Sequence, residues 1–107
     1  MNKKYRIVLV GCGKMGAAHL NEIYYRDGIE IAGVVDFCPE KAQSFMKRYG
    51  ALSWGTDYKD YLKDENNDIF IIATYPSSHL EILRNCLEHN KNVLCEKPAA
   101  RIYKEAE

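Results

Sequence analysis

The chain has 107 residues, fewer than the ~150 of an average domain, so it can hold at most one compact domain. Apolar residues make up 47% of the sequence, an ordinary share for a globular protein with a buried core. Fifteen basic and fifteen acidic side chains give a formal net charge of +0, which provides no basic field for nucleic acid or an anionic membrane. We therefore expect neither as a partner.

The cysteines and the apolar runs indicate where the protein resides. The four cysteines contain no C-x-x-C pair, so neither a metal site nor a dithiol redox centre is predicted, and Cys86 and Cys95 are expected in the core. The apolar run at residues 7–10 is shorter than the apolar region of a signal peptide, which has about 7 to 15 residues. No apolar run approaches the ~18 residues of a membrane helix. We expect a cytoplasmic protein.

Strand-like and helix-like apolar patterns alternate along the whole chain. The predicted strands cover residues 5–10, 29–36, 51–54, 69–73 and 92–95. The predicted helices cover residues 13–26, residues 39–49, a short segment after Thr56, residues 78 to about 89, and residues 99–107.

Several helix ends carry recognisable signals. Gly50 is expected to end the second helix, and Thr56 is expected to cap the short one. Ser78 followed by Glu81 has the spacing of a capping box at the start of the fourth helix. Asn90 is expected to adopt a left-handed conformation after that helix ends.

This alternation predicts a parallel α/β sheet of the doubly wound (Rossmann) type with strand order 3-2-1-4-5. In such a sheet, ligands bind at the carboxyl ends of the strands, where the strand order reverses. We therefore expect four strand ends to converge at residues 11–16, 36, 74–76 and 96–98.

The first of these ends, residues 11–16, reads G-x-G-x-x-G between a predicted strand and a predicted helix. Gly11 would make the tight turn, Gly13 would let the backbone approach a pyrophosphate, and Gly16 would let helix and strand pack closely. Lys14 and Met15 open the helix, whose free N–H groups attract phosphate. The alternative is a glycine-rich turn that binds no ligand.

Asp36 ends the second predicted strand, twenty positions after Gly16, where a carboxylate can accept hydrogen bonds from an adenosine ribose. A carboxylate there also repels a 2′-phosphate, and no arginine follows it directly. The sequence therefore favours NAD over NADP as the cofactor.

Further candidates lie at the other strand ends and in the loop. Candidate cofactor contacts there are Thr74, Tyr75, Pro76, His79 and Glu96. Lys97 follows the last predicted strand and is either a catalytic group near the nicotinamide or an ordinary surface lysine. Cys12 is expected to be accessible but not catalytic, because no partner cysteine or base lies nearby in sequence. His19 is expected to pack within its helix.

Residues 11–16 with His19, Asp36, residues 73–79 and residues 91–98 together resemble the Gfo/Idh/MocA family, named after glucose-fructose oxidoreductase and inositol dehydrogenase. The resemblance runs over nearly the whole chain. Two segments depart from the pattern, because the family often reads T-P-N at residues 74–76 and often has glycine at position 90.

The resemblance implies an N-terminal Rossmann domain for NAD or NADP, with Lys97 beside the nicotinamide and the substrate. It also implies that residues 1–107 are a partial domain, truncated before its last strand and lacking the second, substrate-binding domain. A full-length form would then bind a small-molecule substrate, with a homo-oligomer left open.

The function expected on this basis is hydride transfer between a nicotinamide and a hydroxyl-bearing carbon of a sugar, polyol or related molecule. Lys97 would then hydrogen-bond the reacting oxygen or move its proton, and Glu96 would orient Lys97. The alternatives are a non-catalytic, regulatory dinucleotide-binding module and an NAD-dependent glycosidase.

Overall fold

The chain forms a parallel sheet with helices on both faces. The computed structural model describes residues 5–24, 26–74 and 76–95, with the side chains of residues 76–79 and 95 excepted. The strands in these ranges are β1 (Tyr5–Val10), β2 (Ile29–Val35), β3 (Trp54–Gly55), β4 (Ile69–Ile72) and β5 (Asn92–Cys95). The helices are α1 (Lys14–Ile23), α2 (Pro39–Tyr49), α3 (Lys59–Leu62) and α4 (Pro76–Glu88).

The strand order is β3-β2-β1-β4-β5, and every neighbouring pair is parallel. This confirms the predicted doubly wound sheet. Its order reverses between β1 and β4, so the carboxyl ends of β1, β2 and β4 meet at one edge.

Alternate residues of the central strands enter two separate cores. Leu9, Val34 and Ile71 pack with the apolar faces of α1 and α2. Val8, Phe70 and Val93 pack with α4 and with Leu62 of α3 on the other face. The second core also includes Cys86, so its predicted burial is confirmed.

Two predicted helix ends are confirmed, and one is wrong. Gly50 ends α2 with φ +71°, and Asn90 follows α4 with φ +60°. The first helix ends at Ile23 rather than at residue 26. The reason is that the Arg26 amide bonds the Ile23 carbonyl, while the Arg26 Nε donates to the Glu22 carbonyl oxygen at 2.8 Å. That oxygen would otherwise accept the next helical hydrogen bond.

Both predicted N-caps are wrong because neither Thr56 nor Ser78 lies at the N-cap position of its helix. The carboxylate of Asp57, not Thr56, accepts a 2.9 Å hydrogen bond from the Lys59 amide at the start of α3. Helix α4 begins at Pro76, two residues before Ser78, since proline at a first helical position has no N–H to satisfy.

The third strand, predicted over residues 51–54, is only two residues long and lies at 54–55. The segment before it is bound to β2 through the Leu52 amide and the Ile31 carbonyl, 2.9 Å apart. The second and fourth strands each end one residue earlier than predicted, which leaves Asp36 and Ala73 just beyond the sheet. None of the helices in the described ranges has the length and apolar content needed to span a bilayer.

The amino edge of the sheet is closed by a buried polar network that hydropathy did not predict. Asn67 is 2% exposed and bonds the Arg6 guanidinium and the Tyr61 carbonyl. Lys91 is 8% exposed, and its Nζ donates to the carbonyl oxygens of Asp64 at 2.8 Å and Asn67 at 2.9 Å. This ammonium therefore fastens the turn before β4 to the start of β5.

Lys91→Met should lower the free energy of unfolding by roughly 1–3 kcal/mol, because it leaves two carbonyl oxygens without their donor. The exposed neighbour Lys63, changed to Met, is the matched control and should shift stability by no more than about 0.5 kcal/mol. Urea unfolding measures both. Equal stability of the two variants would contradict this role for Lys91.

Candidate functional site

The glycine loop, residues 11–16, joins β1 to α1 at the carboxyl edge of the sheet. Gly11 has φ +108°, and a Cβ there would lie 2.5 Å from the Ala73 carbonyl oxygen. A Cβ on Gly16 would collide with the carbonyl oxygen of Gly11. Chain packing thus requires glycine at both positions, and it seats α1 directly against β1 and the end of β4.

Gly13 differs from these two glycines. Its backbone is extended, with φ −115° and ψ −159°, and a Cβ on it would meet no described atom within 4 Å beyond its two chain neighbours. Neither the backbone conformation nor packing among the described residues requires glycine here. The space in front of Gly13 is therefore available to a ligand.

The start of α1 faces this open space. Gly13 supplies no side-chain cap, the first turn has no acidic residue, and Lys14 and Met15 are both exposed. The first helical hydrogen bond runs from the Ala17 amide to the Gly13 carbonyl at 2.9 Å, so the preceding amides have no intrahelical acceptor. Such a helix start favours an anion.

Asp36 lies directly beside the loop. Its Oδ2 accepts a 2.8 Å hydrogen bond from the Cys12 amide, and its Oδ1 accepts one of 2.8 Å from the Cys38 amide. The adjacent Val35 carbonyl accepts the Gly11 amide at 2.8 Å. The end of β2 is thus bound to the first two residues of the loop.

Several other predicted site residues fall at the limits of the described ranges. Thr74 is half-buried beside Gly11, and its Cγ2 would lie 3.1 Å from a Cβ at that glycine. Pro76 and His79 are in the first turn of α4, but their side chains are not among the described groups. Tyr75, Glu96, Lys97 and Pro98 also lie outside the described residues.

The structure therefore brings together the glycine loop, Asp36 and Thr74 at one edge of the sheet. The last residue of β5, Cys95, pairs with Ile72 at the same edge, so the chain leaves the described region there. His19 is half-buried on α1, and its packing role stays a prediction.

Cys12 is buried, contrary to the expectation of an accessible thiol. It is 3% exposed, and its Sγ donates to the Val35 carbonyl oxygen at 3.6 Å. Burial raises the pKa of the Cys12 thiol to about 12, and the Asp36 carboxylate adds to the rise. The group is therefore a neutral thiol at neutral pH and not a nucleophile.

Sequence reasoning missed Phe37, which is 88% exposed next to Asp36. The bond from the Cys38 amide to Asp36 Oδ1 closes a tight turn with Phe37 at its tip. The signal in the sequence was the order Asp-Phe-Cys-Pro at residues 36–39. An aspartate side chain often accepts the backbone amide two residues later and so favours such a turn.

A cleft lies at the opposite edge of the sheet. It has a volume of about 440 Å³, and its lining includes Lys63, Asp68, His89 and Lys91. The Lys91 ammonium there is already bound to two carbonyl oxygens, so the cleft belongs to the structural network of the amino edge. Within the described ranges, no three His, Cys, Asp or Glu side chains are grouped to hold a metal ion.

A sequence model of the Gfo/Idh/MocA family, described as the oxidoreductase family with an NAD-binding Rossmann fold, matches residues 5–107. The chain belongs to this family. The parallel sheet and the glycine loop described above are those of its nucleotide-binding domain.

The named relatives are dehydrogenases. The 4-carboxy-2-hydroxymuconate-6-semialdehyde dehydrogenase of Sphingobium sp. is 33% identical over 95% of this chain and 32% of its own length. Inositol 2-dehydrogenase 2 of Mycolicibacterium vanbaalenii is 35% identical over 87% of this chain and 28% of its own. The crystal structure of GenD2 from gentamicin A biosynthesis, in complex with NAD, aligns with a TM-score of 0.84 and 26% identity, over 90% of this chain and 27% of GenD2. The chain thus spans less than a third of these relatives.

Cys12 should resist iodoacetamide in the native chain at pH 8, where a pKa of about 12 leaves roughly one thiol in ten thousand ionised. The half-buried Cys38 is the internal comparison and should be alkylated faster. Peptide mapping by mass spectrometry measures both, and reactivity of Cys12 should rise only as the pH approaches 12. If Cys12 in the native chain is alkylated as fast as in the urea-unfolded chain, the thiol is accessible and its burial is contradicted.

Proposed function

We propose that the chain binds NAD at the carboxyl edge of its sheet, as the cofactor domain of a dehydrogenase. The observation that carries this proposal is the open space in front of Gly13, where neither packing among the described residues nor backbone conformation accounts for the glycine. A pyrophosphate is the ligand that needs such close approach to a backbone at a helix start. The bound nicotinamide would supply the hydride chemistry.

We assign the cofactor contacts from the geometry of the loop and Asp36 and, beyond them, from the sequence. The pyrophosphate would lie on Gly11, Gly13 and the amides of Lys14, Met15 and Gly16. The adenosine ribose would lie on Asp36, whose carboxylate oxygens each accept one backbone amide and keep further acceptor positions for ribose hydroxyls. Contacts toward the nicotinamide are proposed for Thr74, Tyr75, Pro76, His79 and Glu96.

We propose that NAD is preferred over NADP. The Asp36 carboxylate repels a 2′-phosphate, and its exposed neighbour is Phe37, which carries no charge to pair with one. An arginine in that place would instead accommodate the phosphate.

For the whole protein, we propose hydride transfer to or from a hydroxyl-bearing carbon of a polyol, sugar or related small molecule. The support is the family of the chain and the activity for which its inositol dehydrogenase relatives are named. Lys97 would hydrogen-bond the reacting oxygen or move its proton, and Glu96 would orient Lys97. The free thiols of Cys12, Cys38 and Cys86 support a reducing, cytoplasmic setting.

The chain should bind NAD more tightly than NADP in isothermal titration calorimetry. Gly13→Val should abolish binding, since its side chain fills the space proposed for the pyrophosphate, while the chain still folds with a modestly lower thermal midpoint, because valine is a poorer N-cap than glycine. Ala18→Val, at an exposed position of α1, is the matched control and should bind normally. Tighter binding of NADP would overturn the cofactor preference, and a folded Gly13→Val chain that still binds would overturn the loop assignment.

In a full-length protein, Lys97→Ala should lower kcat by about 10²-fold or more, as expected for loss of a proton-transfer group, with little change in the dissociation constant of NAD. Lys47→Ala, an exposed lysine on α2, is the control and should keep normal turnover. Near-normal turnover of the Lys97 variant would return this residue to the surface-lysine interpretation.

The isolated 107-residue chain should bind NAD without catalysing hydride transfer. A hydride-transfer site holds the substrate carbon against the nicotinamide and excludes water, and a Rossmann domain lines one wall of such a site. Leu94 is 46% exposed on β5, the outermost strand among the described residues, so we also expect dye binding and self-association. Polyol oxidation by the isolated chain, or a monodisperse monomer without dye binding in light scattering, would contradict this expectation.

A further inference from the structure

The Asp36 carboxylate makes two backbone contacts that recognition of a ribose does not explain. One oxygen accepts the amide of Cys12 inside the glycine loop, and the other accepts the amide of Cys38, each at 2.8 Å. Both are charge-assisted hydrogen bonds, which are roughly twice as strong as neutral ones. The side chain therefore links the glycine loop to the turn that follows β2.

Two further contacts hold the same part of the loop against the end of β2. The Val35 carbonyl accepts the Gly11 amide at 2.8 Å and the Cys12 thiol at 3.6 Å. Cys12 precedes Gly13, the N-cap residue of α1. The position of the Cys12 amide therefore determines how Gly13 and the first turn of α1 face the open space.

We propose that Asp36 is a positioning residue for the glycine loop, in addition to being a ribose contact, and that it holds the pyrophosphate-binding amides in place before a nucleotide arrives. This inference rests on the proposed function of the loop. It differs from ribose recognition in one measurable way. Loss of the carboxylate weakens binding even of a nucleotide that has no ribose hydroxyls.

The two roles are compatible at one carboxylate. Each ionised oxygen offers about two acceptor positions, and each backbone amide uses one of them. An asparagine at position 36 keeps the shape of the side chain but has one acceptor oxygen, so it can hold one of the two amides. An alanine holds neither.

The experiment compares the wild-type 107-residue chain with Asp36→Ala, Asp36→Asn and the control Asp64→Ala. Asp64 caps a turn in the same way, accepting the Asn66 amide at 2.9 Å, but lies at the opposite edge of the sheet beside Lys91. Amide hydrogen exchange is read by NMR in the nucleotide-free chain. Affinity is read by calorimetry with ADP and with 2′,3′-dideoxy-ADP, which keeps the diphosphate and lacks both ribose hydroxyls.

We expect Asp36→Ala to speed exchange of the Cys12 amide at least tenfold and to weaken 2′,3′-dideoxy-ADP binding at least fivefold. The Asp64→Ala control should change neither. If Asp36→Ala fails to fold, Asp36→Asn carries the test, with faster exchange at one of the two amides and an intermediate loss of affinity for the dideoxy nucleotide.

Unchanged exchange at Cys12 in Asp36→Ala, unchanged exchange at both amides in Asp36→Asn, or a loss of affinity confined to ADP would overturn the positioning role and leave ribose contact as the whole function of Asp36. If the wild-type chain binds NAD and the Asp36 variants give one of these contrary results, the positioning role is wrong and the proposed function stands. A wild-type chain that binds neither NAD nor ADP removes the proposed function, and the positioning role falls with it.

Discussion

The site depends on the close approach of the glycine loop to the ends of β2 and β4. Gly11 lies against the carbonyl of Ala73, and Gly16 lies against the carbonyl of Gly11, with Leu9 beneath. A side chain at either position would push α1 away from β1, and the amides at the start of α1 would no longer face the edge. Folding and the proposed binding therefore both depend on these two glycines, whereas at Gly13 packing among the described residues leaves room for a side chain.

The two edges of the sheet differ in how their polar groups are hydrogen-bonded. At the amino edge, the charged groups of Arg6 and Lys91 are bound by carbonyls and side chains of the same chain. At the carboxyl edge, the first amides of α1 have no intrahelical acceptor and no side-chain cap, and the ring of Phe37 is exposed. An edge whose donors are already satisfied is suited to holding strands together. A helix start whose amides lack an intrahelical acceptor is suited to receiving an anion.

The predictable features are those that depend on neighbours in sequence. The glycine spacing predicted the loop because a strand, a tight turn and a helix follow one another directly in the sequence. Asp36 was predicted to lie near the loop because it ends the next strand. The predicted caps were wrong because several residues near each helix start are suitable, Asp57 beside Thr56 and Pro76 before Ser78, and the local sequence does not distinguish them. The burial of Cys12 and Lys91 depends on carbonyls more than twenty residues away in the chain, which no local pattern encodes.

The hydrogen bonds from the Cys12 and Cys38 amides to Asp36 limit which substitutions could adapt the proposed NAD site to NADP. Accommodating a 2′-phosphate requires removal of the negative charge at position 36, because that charge repels the phosphate. Removal of the whole side chain would also release the amides of Cys12 and Cys38 that it holds. A neutral residue with an acceptor oxygen at position 36 would remove the charge and still hold one of the two amides. A cation in place of Phe37 would then pair with the 2′-phosphate. Under the proposed assignment, one carboxylate both disfavours NADP and helps to hold the loop, so a substitution that alters the first role also alters the second.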